Sequence, residues 1–114
     1  MRKVSIVMES GCLRCSLEKE LQRRFEVSVC GNTDAGADLL RDQPDILVMD
    51  LSLPGIDGLT FLKQHKGILP PIIIVLSVLT SPDVLRELAE LGVSSVIRRP
   101  CTISMVMGQL EKHI

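Results

Sequence analysis

Three short apolar runs set the tightest limit on how this chain folds. Val4–Met8, Asp45–Met49 and Ile72–Leu76 are rich in aliphatic and β-branched residues, and polar or turn residues bound each one. Runs without polar alternation suit strands covered on both faces, and such strands belong to parallel sheets. Glu26–Cys30 and Ser94–Arg98 read as two weaker strands. Helical patterns fill the intervals. Leu13, Leu17 and Leu21 recur at one-turn spacing, with Arg14, Glu18, Lys19 and Arg23 around them. Asn32 or Thr33 can cap a helix from about Ala35 to Arg41. Gly58–Lys66 reads as a third helix. Ser81-Pro82-Asp83 supplies a cap, a proline in the first turn and an acid at the positive end of the dipole. That helix ends near Leu91-Gly92. Thr102 can cap a last helix through about Lys112.

The order is strand then helix, five times over. It predicts an α/β fold: a five-stranded, doubly wound parallel sheet with right-handed crossovers. A length of 114 residues suits one domain across 1–114. In such sheets the functional site lies beyond the carboxyl ends of the strands, where strand order reverses. Glu9, Asp50, Ser77 and Arg99 are the residues that this rule selects.

Composition narrows the function classes. The chain has two Phe and no Tyr or Trp, which argues for an aliphatic core and against a base-stacking surface. A formal net charge of -1 gives no field that would gather nucleic acid or an anionic membrane. The N-terminal apolar run is short and stops at Glu9, unlike a secretory signal. The stretch from Ile68 to Leu79 contains Pro70 and Pro71 and is too short to span a bilayer. A cytoplasmic protein is expected, with Cys12, Cys15, Cys30 and Cys101 as reduced thiols.

The segment from Pro44 to Gly58 carries the chemistry. Asp50 ends an apolar strand, and Leu53-Pro54 and Asp57-Gly58 follow at fixed offsets. The pattern Asp-x-x-(Met/Leu)-Pro-x-x-(Asp/Asn)-Gly resembles the receiver domain of bacterial response regulators of the chemotaxis and sporulation types. The resemblance extends over essentially the whole chain and implies a flavodoxin-like (βα)5 receiver fold. It implies that Asp50 takes a phosphoryl group from the phosphohistidine of a histidine kinase or phosphotransfer protein. A carboxylate nucleophile yields an acyl phosphate. The transfer depends on in-line positioning and charge neutralisation more than on acid–base chemistry. By the same resemblance, Glu9, Asp50 and the backbone carbonyl of Ser52 would hold Mg²⁺. Ser77 would be the switch hydroxyl and Arg99 a phosphoryl contact. Pro54, Gly58 and Pro100 would shape the site, with a cis bond before Pro100. The chain would be a regulator and not an enzyme.

Three departures from the family pattern bear on that chemistry. Met8-Glu9 stands where the family has an acidic pair; Glu9-Ser10 is the alternative register, and either loses one acid. Affinity for a hard cation rises with the number of charged oxygen ligands, so Mg²⁺ binding should weaken. Arg99 replaces a lysine, and its planar fork can pair with Asp50 directly. Val96 replaces the aromatic that changes rotamer on activation. The expectation is a degenerate receiver in which phosphorylation is slow, metal-poor or absent. Full competence stays open, because Asp50, Ser77, Pro54 and Pro100 are intact.

Other readings are weaker. Cys12-Leu13-Arg14-Cys15 follows the first strand and opens a helix, where a thiol-redox pair would have favoured thiolates. His65 and His113 are isolated, so no zinc set forms. Arg98-Arg99 is too small for a nucleic-acid patch. The fourth helix, fifth strand and fifth helix form the face through which receivers commonly signal. Here that face comprises exposed positions of Pro82–Glu90, Arg98 and Ser104–Lys112. Met105, Val106 and Met107 are consecutive and apolar, so at least one can be exposed, as in a homodimer or partner contact.

Overall fold

A computed structural model describes residues 2–53, 57–78 and 81–114. Its strands are β1 (Lys3–Val7), β2 (Glu26–Cys30), β3 (Ile46–Asp50), β4 (Ile72–Ser77) and β5 (Ser95–Arg98). The helices are α1 (Cys12–Leu21), α2 (Thr33–Arg41), α3 (Gly58–Gln64), α4 (Pro82–Glu90) and α5 (Ile103–His113). All strand pairs are parallel, in the order β2-β1-β3-β4-β5. That is the doubly wound order expected, with its reversal between β1 and β3.

The two-sided burial of the strands explains the order. Ile46 and Val48 of β3, with Ile74 and Leu76 of β4, pack on one face with Leu17 and Leu21 of α1 and Val106 and Leu110 of α5. Leu47, Met49, Ile73 and Val75 face the other way, toward Leu40 of α2, Phe61 and Leu62 of α3 and Leu88 of α4. Successive residues of a strand point to opposite faces, so a continuous apolar run feeds two cores at once. Every residue of β3 is buried, Asp50 included. Each fully buried aliphatic side chain contributes roughly 1.5–3 kcal/mol. These contacts hold Asp50 against the cost of removing its carboxylate from water.

Helix starts follow the capping residues. Asn32, not Thr33, caps α2, accepting the Ala35 N–H at 2.8 Å. Ser81 accepts the Val84 N–H and Thr102 the Met105 N–H. Helix α3 is shorter than its sequence pattern suggests. His65 leaves the helix, and its ring Nδ1 donates to the Phe61 carbonyl at 2.8 Å, which satisfies an acceptor freed at the helix end. A 3-10 turn, Lys66–Ile68, follows. Strand β5 begins one residue late because the Ser94 hydroxyl, at 3.2 Å, accepts the Ile73 N–H. Gly92, at φ 87°, ends α4 in the left-handed region that glycine tolerates.

Asp57 caps α3 twice over. One carboxylate oxygen accepts the Thr60 N–H at 3.1 Å and the other the Thr60 hydroxyl at 2.7 Å. The Thr60 hydroxyl first, and its N–H second, hold the Asp57 carboxyl below its usual range. A carboxyl lowered in the folded state adds stability above its unfolded pKa and loses it as pH falls through the folded one. Asp57→Ala should therefore cost about 1 kcal/mol at neutral pH. In urea melts of the two proteins the gap should narrow below about pH 4. A gap unchanged by pH would show that the ionised cap contributes nothing.

Candidate functional site

The carboxyl ends of β1, β3, β4 and β5 bring the selected residues together. Register does most of the placing. Asp50 pairs with Leu76, and Ser77 pairs with Arg98. The Leu51 N–H donates to the Leu76 carbonyl at 3.0 Å, and the Arg99 N–H to the Ser77 carbonyl at 2.9 Å. Asp50, Ser77 and Arg99 thus stand at the ends of neighbouring strands. Asp50 is 6% exposed and Ser77 1%.

Both carboxylate oxygens of Asp50 are engaged. Oδ1 accepts the Ser52 N–H at 2.9 Å. Oδ2 forms an ion pair and hydrogen bond with Nη1 of Arg99, whose side chain is 32% exposed. A buried carboxylate without a partner would lose several kcal/mol in desolvation, and the guanidinium supplies the compensation. The Arg99–Pro100 peptide is cis, in line with the sequence expectation.

A cavity of about 160 Å³ opens beside this pair. Met8, Glu9, Cys12, Arg14, Asp50 and Arg99 are among its lining residues. Met8 is 2% exposed and its side chain packs into the core with Leu17 and Leu21. Glu9 is exposed. In the sequence Arg14 stands among the charged residues around the Leu13, Leu17 and Leu21 stripe. It donates to the Met8 carbonyl at 3.1 Å and joins the cavity wall. Its place in the first turn after Glu9 was the available signal, because that turn abuts the carboxyl edge of the sheet. The cap of α1 is Gly11, which gives no side-chain acceptor, and residues of the first turn line the same cavity.

The remaining candidates fall into place around the site. The Gly58 N–H donates to the Leu51 carbonyl at 3.0 Å, and a Cβ at Gly58 would lie 2.7 Å from the Leu51 Cα. Glycine is required there by the close approach of two backbones. Pro54 lies outside the described residues. Val96 is half-buried in β5, opposite Val75. Cys12 and Cys15 are exposed, free thiols. Cys30 and Cys101 are partly buried, and burial raises both thiol pKa values.

The donor set does not fit a hard divalent cation. Such an ion needs several oxygen ligands, usually carboxylates. Among the described residues no group of three or more His, Cys, Asp or Glu is placed to hold a metal. Asp50 already accepts two hydrogen bonds, and Met8 has no oxygen to offer on its side chain.

The sequence profile of the response regulator receiver domain matches residues 4–111. The chain belongs to the response regulator receiver family. A receiver domain protein of Methanospirillum hungatei has the same fold, with a TM-score of 0.86 at 16% identity over 99% of this chain and 93% of that one. The chemotaxis response regulator of Vibrio cholerae gives a TM-score of 0.79 at 23% identity over 100% and 99%. Among curated relatives, a protein-glutamate methylesterase/protein-glutamine glutaminase of Rhodospirillum rubrum is 34% identical over 100% of this receiver and 32% of its own length. One from Carboxydothermus hydrogenoformans is 32% identical over 98% and 35%. The receiver thus spans about a third of the length of these relatives. Receiver domains are generally regulatory and generally bind Mg²⁺ at an acidic pocket. This receiver keeps the fold, and no such acidic group stands among its described residues. Family membership lends no support to the thiol-redox reading. No described helix is long and apolar enough to cross a membrane.

The ion pair can be measured. Arg99→Met should destabilise the receiver by about 2 kcal/mol or more, since it strands a buried carboxylate. Combined with Asp50→Asn, the loss should fall short of the sum by about 1 kcal/mol. Strict additivity in chemical denaturation would show that the two groups are not coupled.

Proposed function

We propose that Asp50 accepts a phosphoryl group from the phosphohistidine of a histidine kinase or phosphotransfer protein, and that the receiver passes the signal on through protein contacts. The observation that supports this most is the convergence of Asp50, Ser77 and Arg99 at the reversal edge of a parallel sheet. In the transfer, an Asp50 oxygen bonds to phosphorus as the phosphorus–nitrogen bond breaks. The imidazole leaves with the electron pair and takes a proton from water. The developing charge on the phosphoryl oxygens calls for fixed donors. Arg99 would turn from the carboxylate to fork across two of those oxygens, and the Ser77 hydroxyl would donate to another. Glu9, Asp50 and the Ser52 carbonyl are the residues that would face Mg²⁺. They supply too few charged oxygens for tight binding.

Output through the face formed by α4, β5 and α5 is supported by its surface. Leu85 is 39% and Met105 48% exposed, while Val106 is fully buried. A groove of about 430 Å³ runs along β5 and α5 past Val96, Met105 and Lys112. A partner protein or a second copy of the receiver would bind there. The methylesterase relatives fit a receiver that regulates an activity and does not itself perform it, in the cytoplasm where histidine kinases act.

Incubation with acetyl phosphate and Mg²⁺ tests the assignment. Intact-mass spectrometry should show a gain of one phosphoryl group, absent from Asp50→Ala. No gain in the unmodified chain, or an equal gain in the variant, would refute it.

A further inference from the structure

The cavity beside Asp50 is balanced in charge before any ion or phosphoryl group arrives. Asp50 and Glu9 contribute two negative charges, Arg99 and Arg14 two positive ones. A divalent cation entering here would face two guanidiniums and displace a hydrogen bond from each Asp50 oxygen that it took. Met8, at the position where the family has a second acid, packs its side chain into the core and offers the cation no side-chain oxygen. An incoming phosphoryl group meets the reverse situation. Its charge is spread over three oxygens, which planar guanidinium forks match better than a point charge does. Arg14 spends one N–H on the Met8 carbonyl, which fixes its head at the cavity wall. A guanidinium has five donors, so others remain for a ligand. The first turn of α1 lines the same cavity and adds its positive dipole end.

We propose that this receiver neutralises the phosphoryl group with the guanidiniums of Arg99 and Arg14, and that phosphorylation of Asp50 requires no divalent cation. The inference rests on Asp50 being the phosphoacceptor. With acetyl phosphate as donor, an Asp50 oxygen bonds to phosphorus while the bond from phosphorus to the acetyl oxygen breaks. Acetate leaves with the electron pair, and no proton or further reactant is needed. Arginine takes this neutralising role in other phosphoryl transfers, where one residue can change the rate by several orders of magnitude.

The test compares initial rates of acetyl phosphate labelling of the 114-residue chain in excess EDTA and in millimolar Mg²⁺. The rates should agree to within about twofold, and Arg14→Gln and Arg99→Lys should each slow labelling in EDTA by about tenfold. Circular dichroism and thermal melting identify any variant that fails to fold. Arg14→Gln removes no partner of a buried carboxylate and keeps the test valid if Arg99→Lys unfolds. Labelling of Asp50 only in Mg²⁺ would overturn this inference and leave the phosphoacceptor assignment standing. Metal-free labelling untouched by either variant would also overturn it. Absence of labelling in both conditions would remove the phosphoacceptor assignment, and this inference with it.

Discussion

The contact between Arg99 and Asp50 is the interaction on which the carboxyl edge of the sheet depends. Asp50 ends a strand buried along its whole length, so little of its charge reaches water. A carboxylate in that position needs a fixed cation and fixed donors, or it becomes a large local penalty. Arg99 and the Ser52 N–H meet the requirement. The same partners leave Asp50 with no oxygen idle, which changes what can approach it.

The fold delivers this contact through backbone register. Asp50 ends β3 and Arg99 directly follows β5, with β4 between the two strands; the ladder pairs Asp50 with Leu76 and Arg98 with Ser77. The Arg99 N–H bonds to the Ser77 carbonyl, tying the arginine's backbone to the end of the intervening strand. On the opposite side of the reversal, Met8 and Glu9 follow β1. Arg14, from the first turn of α1, grips the Met8 carbonyl. One acidic residue closes the site from that side, with a second guanidinium beside it.

Much of this was legible in the residues. The three apolar runs predict the inner strands β1, β3 and β4, because two-sided burial leaves little polar alternation. The caps at Asn32, Ser81 and Thr102 mark helix starts because side-chain oxygens must satisfy exposed N–H groups. The freedom of Arg99 to pair with Asp50 was readable from the change of lysine to arginine. The end of α3 was not readable, since it depends on a His65 ring bonding back to Phe61. Nor was the late start of β5, where a serine hydroxyl stands in for a ladder bond. Arg14 was hidden for a related reason. Helical periodicity assigns a residue to a face, but not to the sheet edge against which the first turn comes to rest.

The central claim is that Asp50, held by Arg99, is the group that receives phosphate. Borohydride converts an aspartyl phosphate to homoserine and leaves a free aspartate untouched. The direct measurement is to load the chain from a phosphohistidine donor protein, reduce it, and map its peptides by mass spectrometry. The account predicts homoserine at position 50 and nowhere else. Aspartate recovered intact at position 50, or homoserine at any other position, would contradict it.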